Sequence, residues 1–319
     1  RQIWDAPAAG FIPTNNSVRF VDRGKGHVYE GGTGTTTRLS NTTIPGIHEA
    51  VWMTPTTLLL RSLGDNEEIK TYYASISTTT NSLEGFYLRK NLGQIAAKGN
   101  ELAYFSYGGL GLLDFSKKPH TEKVIADLPL EQLFLEWSEA GTFALSTKPS
   151  KNVNGYFYTL NKSRGALEKV FGNILGLTTR INPSATEVLY ANNLLRLSLY
   201  DLKNNDSKPL QILTLPEKCV WGRKNPSYVY CGAPEFLPKG NYPDAWYQGI
   251  ASFNDWIWRI DTKTGEGEVL SDNPPFDFDA ISPALSPNED YFYFVNKKDL
   301  SLWSFNLPPI ELRATTTPR

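Results

Sequence analysis

Few residues in this 319-residue chain are equipped for covalent or metal chemistry: two cysteines, three histidines and one methionine. His27, His48 and His120 fall in separate stretches, and no H-E-x-x-H or comparable ligand spacing joins them. His27 follows "GKG" and reads as a packed or turn-bonded ring. His48 precedes the strand-like "EAVWM", and His120 sits in a lysine-rich loop where solvent is the expected neighbour. No G-x-S-x-G is present, and "GGTGTTT" at 31–37 lacks the G-K-[ST] and helix that a phosphate loop needs. It reads as a turn. No catalytic residue, metal or cofactor is assigned.

Carboxylates are the better enzymatic lead, since paired acids serve as acid and base in sugar cleavage. "DNPPFDFDA" offers Asp272, Asp277 and Asp279, with Asp277 and Asp279 on one side if the segment is extended. Asp244 and Asp255 stand further upstream. A capping or packing role is the competing reading for each. The richest binding text is "NYPDAWYQG", which gathers Tyr242, Asp244, Trp246, Tyr247 and Gln248. Aromatic faces beside polar groups suit sugars, peptides or protein partners. The same rings could instead pin a long loop that Pro234, Pro238 and Pro243 already stiffen.

The elements that must position these residues are β-strands. "VRFVDR", "TLLLRSL", "ELAYFSY", "TFALSTK", "TEVLYANN", "SYVYCGA" and "DYFYFVNK" start at intervals of 39, 44, 41, 44, 41 and 63. Each precedes a second strand-like stretch, such as "GYFYTLN" or "DWIWRIDT", rich in aromatic and β-branched residues. These second stretches tend to end on Asp114, Asn161, Asp201, Asp261 or Asn306, side chains able to close a turn. A returning strand follows, and another apolar stretch comes before. Four strands per repeat of this size make a propeller blade. The fold expected is all-β: a seven-bladed β-propeller of four-stranded antiparallel blades over 1–309, with six blades or a β-sandwich pair as alternatives. The last blade lacks a clear fourth strand, which "IELRA" near 310 or the opening "QIWDAPAAG" could supply. Residues 310–319 read as a Pro/Thr-rich tail or linker. The interval of 63 places about 20 extra residues inside the sixth blade, and long loops are often functional.

In that register the two cysteines are explained. Cys219 and Cys231 flank a turn centred on Asn225, six residues to each side. A hairpin would set them opposite one another, within disulfide reach. Two buried free thiols are the alternative. A disulfide implies an oxidising compartment.

The stretches "SVRFVDRGKGHVYE", "RLSNTTIPGIHEAVW", "KCVWGRKNPSYVYCGAP", "YPDAWYQG" and "LSPNEDYFYFVNKKDLSLW" resemble uncharacterised WD40-like, TolB-like β-propeller envelope proteins of candidate-phyla-radiation (Parcubacteria-like) bacteria. The resemblance runs from Val18 to Leu307 and implies an exported or membrane-anchored propeller, without supplying catalytic residues. A net charge of −1 gives no electrostatic case for nucleic acid or anionic membrane. No apolar run is long enough to span a bilayer. The chain begins at Arg1, as a processed precursor or trimmed chain would. Asn15, Asn41, Asn161 and Asn205 head N-x-S/T sequons, of consequence where exported proteins are glycosylated. The function expected is an extracytoplasmic, cell-surface or secreted, non-enzymatic module contacting protein or glycan, with self-assembly as an option. The alternatives are a polysaccharide hydrolase or lyase with carboxylates at the propeller mouth, and the gating propeller of a larger peptidase.

Overall fold

A computed structural model describes residues 1–310 except 33, 65–67, 107–108, 129–132, 164 and 272–276. Asp272 and the tail at 311–319, with most of "IELRA", therefore lie outside the described residues. Those described form seven four-stranded antiparallel sheets and one helical turn, Asp244–Tyr247, besides a 3-10 turn at Pro216–Lys218. Seven blades replace the six-blade and sandwich alternatives. No described helix is long and apolar enough to cross a membrane.

Six blades take their strands in chain order, as in blade four: Leu133–Trp137, Thr142–Thr147, Asn154–Asn161 and Leu167–Leu175. The seventh is composite. Ala280–Leu285, Tyr291–Asn296 and Leu302–Asn306 come from the C-terminal end, and Gln2–Trp4 completes the sheet beside Leu302–Asn306. The opening segment thus supplies the missing edge, and the ring closes through its own first strand. First strands touch at the junctions of blades one to four and of blades six, seven and one, and the Pro216–Lys218 turn meets the first strand of blade five, so the first strands line the axis.

A four-stranded sheet with two apolar faces needs a neighbour on each. The core follows that rule: its clusters lie between blades rather than within them. Val18 and Phe20 of blade one pack on Tyr293, Val295 and Leu302 of blade seven. Leu59 of blade two meets Leu102, Tyr104 and Leu113 of blade three, and Phe157 of blade four meets Val188 of blade five. The remaining junctions are filled the same way. Turns are closed as the sequence suggests. Asp114, Asn161, Asp201 and Asp261 each accept a hydrogen bond from the backbone N–H two residues on, at 2.8–2.9 Å.

Cys219 and Cys231 are directly opposed in the two inner strands of blade six and form a disulfide, Cα atoms 4.1 Å apart. Both are fully buried, packed with Leu199 of blade five and Trp221 of their own blade.

Candidate functional site

The extra residues of blade six run from 235 to 254, between Tyr228–Pro234 and Asp255–Asp261. They lie on the propeller face that carries each blade's second-to-third-strand loop. What holds them is a buried ionic knot. Lys218, Asp255 and Asp279 are all fully buried. The Lys218 ammonium contacts Asp255 Oδ2 at 2.6 Å, ion-pairs with Asp279, and donates to the Ala280 carbonyl at 3.0 Å. Charges in a dry interior must be paired, and both carboxylates meet Lys218, although the buried Asp255 Oδ1 has no hydrogen-bond partner among the described residues. Asp279 also accepts from the Trp246 indole N–H at 3.0 Å, the Ser252 hydroxyl at 3.2 Å and the Phe253 amide at 3.0 Å. Lys297 lies 4.7 Å over the Trp246 ring and donates to its carbonyl at 2.8 Å. Asp255 takes the Ala280 amide at 2.7 Å, and burial pushes its carboxyl up to about 6 despite Lys218. Gly232 makes room beside this carboxylate: a Cβ there would stand 2.9 Å from Asp255 Oδ2.

Tyr242 and Trp246 are accordingly interior, in an apolar cluster with Leu195, Leu215, Ala245, Ala251 and Phe253. The Tyr242 hydroxyl donates to the Pro238 carbonyl at 2.7 Å. Asp277 and Asp279 are parted: Asp279 is in the knot, while the exposed Asp277 carboxylate pairs with Lys298.

The other side of the insertion reaches over blade five to blade four. Asp244 accepts the Lys151 amide at 2.6 Å, and the Lys151 ammonium donates to Asn241 at 2.7 Å. Burial works against the ionised Asp244 carboxylate, but bonds from the Lys151 amide and the Ser150 side chain outweigh it and hold the group below its ordinary value. Asn193 of blade five donates to the Lys151 carbonyl at 3.0 Å, tying the three blades together. Between loops lies a recess of about 480 Å³, walled by Ser150, Asn152, Asn241, Asp244, Gln248 and Ile250. On the same insertion, Phe236 and Ile250 are 79% and 77% exposed, the two most exposed large apolar residues described.

Tyr247 turns toward the axis. Its ring lies 6.2 Å from Phe134 on the inner strand of blade four, and its hydroxyl donates to Glu217. Glu136, on the same inner strand, accepts the Ile181 amide at 3.3 Å and stands 3.9 Å from Arg180. Burial lifts both carboxyls to about 7. Arg180 opposes the rise, and Glu136 adds to that of Glu217. Neither glutamate carries a sequence signal: both sit in ordinary strand-entry text, and only the closure of the ring brings them together.

The histidines are dispersed. His27 is buried and shares a 3.0 Å hydrogen bond with Thr43; burial lowers its basicity. His120 is exposed yet not merely solvated, its ring stacked 5.5 Å from Phe86. His48 lies inside the strand Ile47–Thr54 rather than before it. No group of three His, Cys, Asp or Glu able to hold a metal occurs among the described residues. Asn15, Asn41, Asn161 and Asn205 are all exposed.

No protein-family model matches the chain, and no curated protein matches it in sequence. Solved structures do match in shape. Tricorn protease aligns over 96% of this chain at 12% identity and TM-score 0.62; this chain spans about a third of its length, 34%. A chain of the mitotic checkpoint complex aligns over 96% of this chain and 93% of its own, at 12% identity and TM-score 0.60. Oligogalacturonate lyase in complex with manganese aligns over 97% and 90%, at 12% identity and TM-score 0.62. At such identities the likeness shows the propeller fold alone. TolB from Acinetobacter baumannii, matched at TM-score 0.49, is too loose a likeness to weigh.

Proposed function

We propose that this propeller is a non-enzymatic recognition module that holds a protein or glycan partner against its loop-bearing face. The observation that carries the reading is the blade-six insertion: anchored by a buried ionic knot, braced on blade four, and presenting Phe236, Ile250 and Gln248 outward, with Tyr247 partly exposed toward the axis. A rigid loop loses little entropy on binding, and exposed apolar side chains beside polar walls mark contact sites. The disulfide supports placement in an oxidising, extracytoplasmic compartment. Glycosylation at the four exposed sequons and self-assembly belong to the same reading. The test is a binding screen of the whole chain against cell-surface glycans and envelope proteins, repeated with Phe236→Asp and Ile250→Asp. Partners should be lost by these variants at unchanged melting temperature. Partners retained in full by both would remove the loop from the interface.

A second reading rests on Glu136 and Glu217. Two carboxyls lifted to about 7 beside the axis are suited to acid–base work on a polysaccharide. Glycan cleavage abolished by both Glu136→Gln and Glu217→Gln would establish it. The likeness to a third of tricorn protease motivates the peptidase-gating alternative.

A further inference from the structure

On the same face, across the mouth from the insertion, a second recess of about 390 Å³ opens between the inner strands of blades seven, one and two. Its floor is apolar, with Phe11, Ile281 and Val295; its polar wall is Arg23, His48, Glu49 and Ser282. The charges in that wall do not cancel. Glu49 is held by Arg61 at 2.5 Å, and Arg61 also donates to the carbonyls of Leu92 and Gly93. Asp22, next to Arg23 in the chain, accepts the Lys25 amide at 3.0 Å in its own turn. The Arg23 side chain has no hydrogen bond or ion pair among the described residues, while its backbone N–H is fixed on the Pro7 carbonyl at 2.8 Å. His48 Nδ1 is buried and without a partner. Burial, with Arg61 and Arg23 nearby, holds the imidazole below its ordinary value against the pull of Glu49. Ser282 is reached at φ +51°, where the Ala280–Leu285 strand slips register between Ile281 and Ala284. Such irregularities re-aim a side chain and carry a backbone cost.

A guanidinium without a partner among the described residues, an imidazole and a hydroxyl therefore line one recess above an apolar floor. We propose that this recess binds a small amphipathic carboxylate, with Arg23, His48 and Ser282 on the carboxylate and Phe11, Ile281 and Val295 against a compact apolar body. The volume is within the range of small-molecule sites, and a guanidinium matches a carboxylate in two parallel bonds. Both a free organic acid and the C-terminus of a peptide ending in an apolar residue carry this chemistry.

Titration calorimetry on the whole chain separates the outcomes. The probes are 4-methylpentanoate, its amide, and a pentapeptide ending in leucine with a free or amidated terminus. At least one free carboxylate should bind about tenfold or more tighter than its amide, the scale of one charge-assisted contact. Arg23→Gln should cost about as much and Arg23→Lys less, while Val124→Asp, on the exposed outer strand Thr121–Asp127 of blade three, should change nothing. A stronger peptide assigns the site to chain termini, and a stronger free acid assigns it to small acids. Equal affinity for acid and amide in the unaltered chain, or no saturation by either carboxylate, would overturn the proposal, whether or not the Arg23 variants fold.

Discussion

Glu217 shows how a single side chain carries the state of the whole mouth. Its carboxyl is lifted from 4.5 to about 7 by burial and by Glu136, and it accepts the Tyr247 hydroxyl. A group whose folded value lies above its unfolded one binds more protons when folded. Its contribution to stability is complete below about 4.5 and is lost as pH rises through about 7. Glu136 and Asp255 act in the same sense. The protein should therefore melt higher at pH 5 than at pH 8. Glu217→Gln should narrow that gap, a one-unit difference between folded and unfolded chains being about 1.4 kcal/mol. Parallel melting curves of variant and parent across this range would refute the assignment. Little of this was legible in the sequence. Glu136 lies in "LFLEW" and Glu217 in "LPEKC", where neither spacing nor composition marks them. Acids on different blades become neighbours only through closure. Asp277 and Asp279 mislead in the opposite direction: adjacency in text suggests a pair, but one is drawn into the knot and the other stays in solvent.

At the scale of the element, the blade-six insertion was visible as a broken period, and the Cys219–Cys231 hairpin followed from counting six residues to each side of Asn225. Both are local regularities, which sequence records well. What holds the insertion was not legible, because Lys218 precedes the loop, Asp279 follows it by 25 residues, and their contact depends on the packing of blades six and seven. The pinning role of Tyr242 and Trp246 was one of two open readings, and burial sets them on that side, leaving Tyr247 and Gln248 at the surface. Lys218→Ala leaves Asp255 and Asp279 buried and uncompensated, a loss of about 3–5 kcal/mol. Chemical denaturation of the variant measures this directly. A loss under about 1 kcal/mol would mean that the knot contributes little.

For the molecule as a whole, the repeat count carried the architecture. A period of 40–45 residues with four strands leaves a ring as the arrangement in which every sheet is covered, and the interblade clusters confirm that economy. The sequence left the closing strand undecided between two ends, and Gln2–Trp4 fills it. Ring closure brings the second-to-third-strand loops of blades four, five and six together on one face, so an anchored insertion can bridge from blade six to blade four and wall a recess there. Amide hydrogen exchange across 236–254 in the native chain tests this picture most directly. The amides of Ala245, Ala251 and Phe253, each hydrogen-bonded in the structure, are expected to exchange nearly as slowly as those of the flanking strands, and Lys218→Ala should release them. Exchange in the native chain at the rate of an unstructured loop would contradict it and remove the rigid face on which the proposed recognition depends.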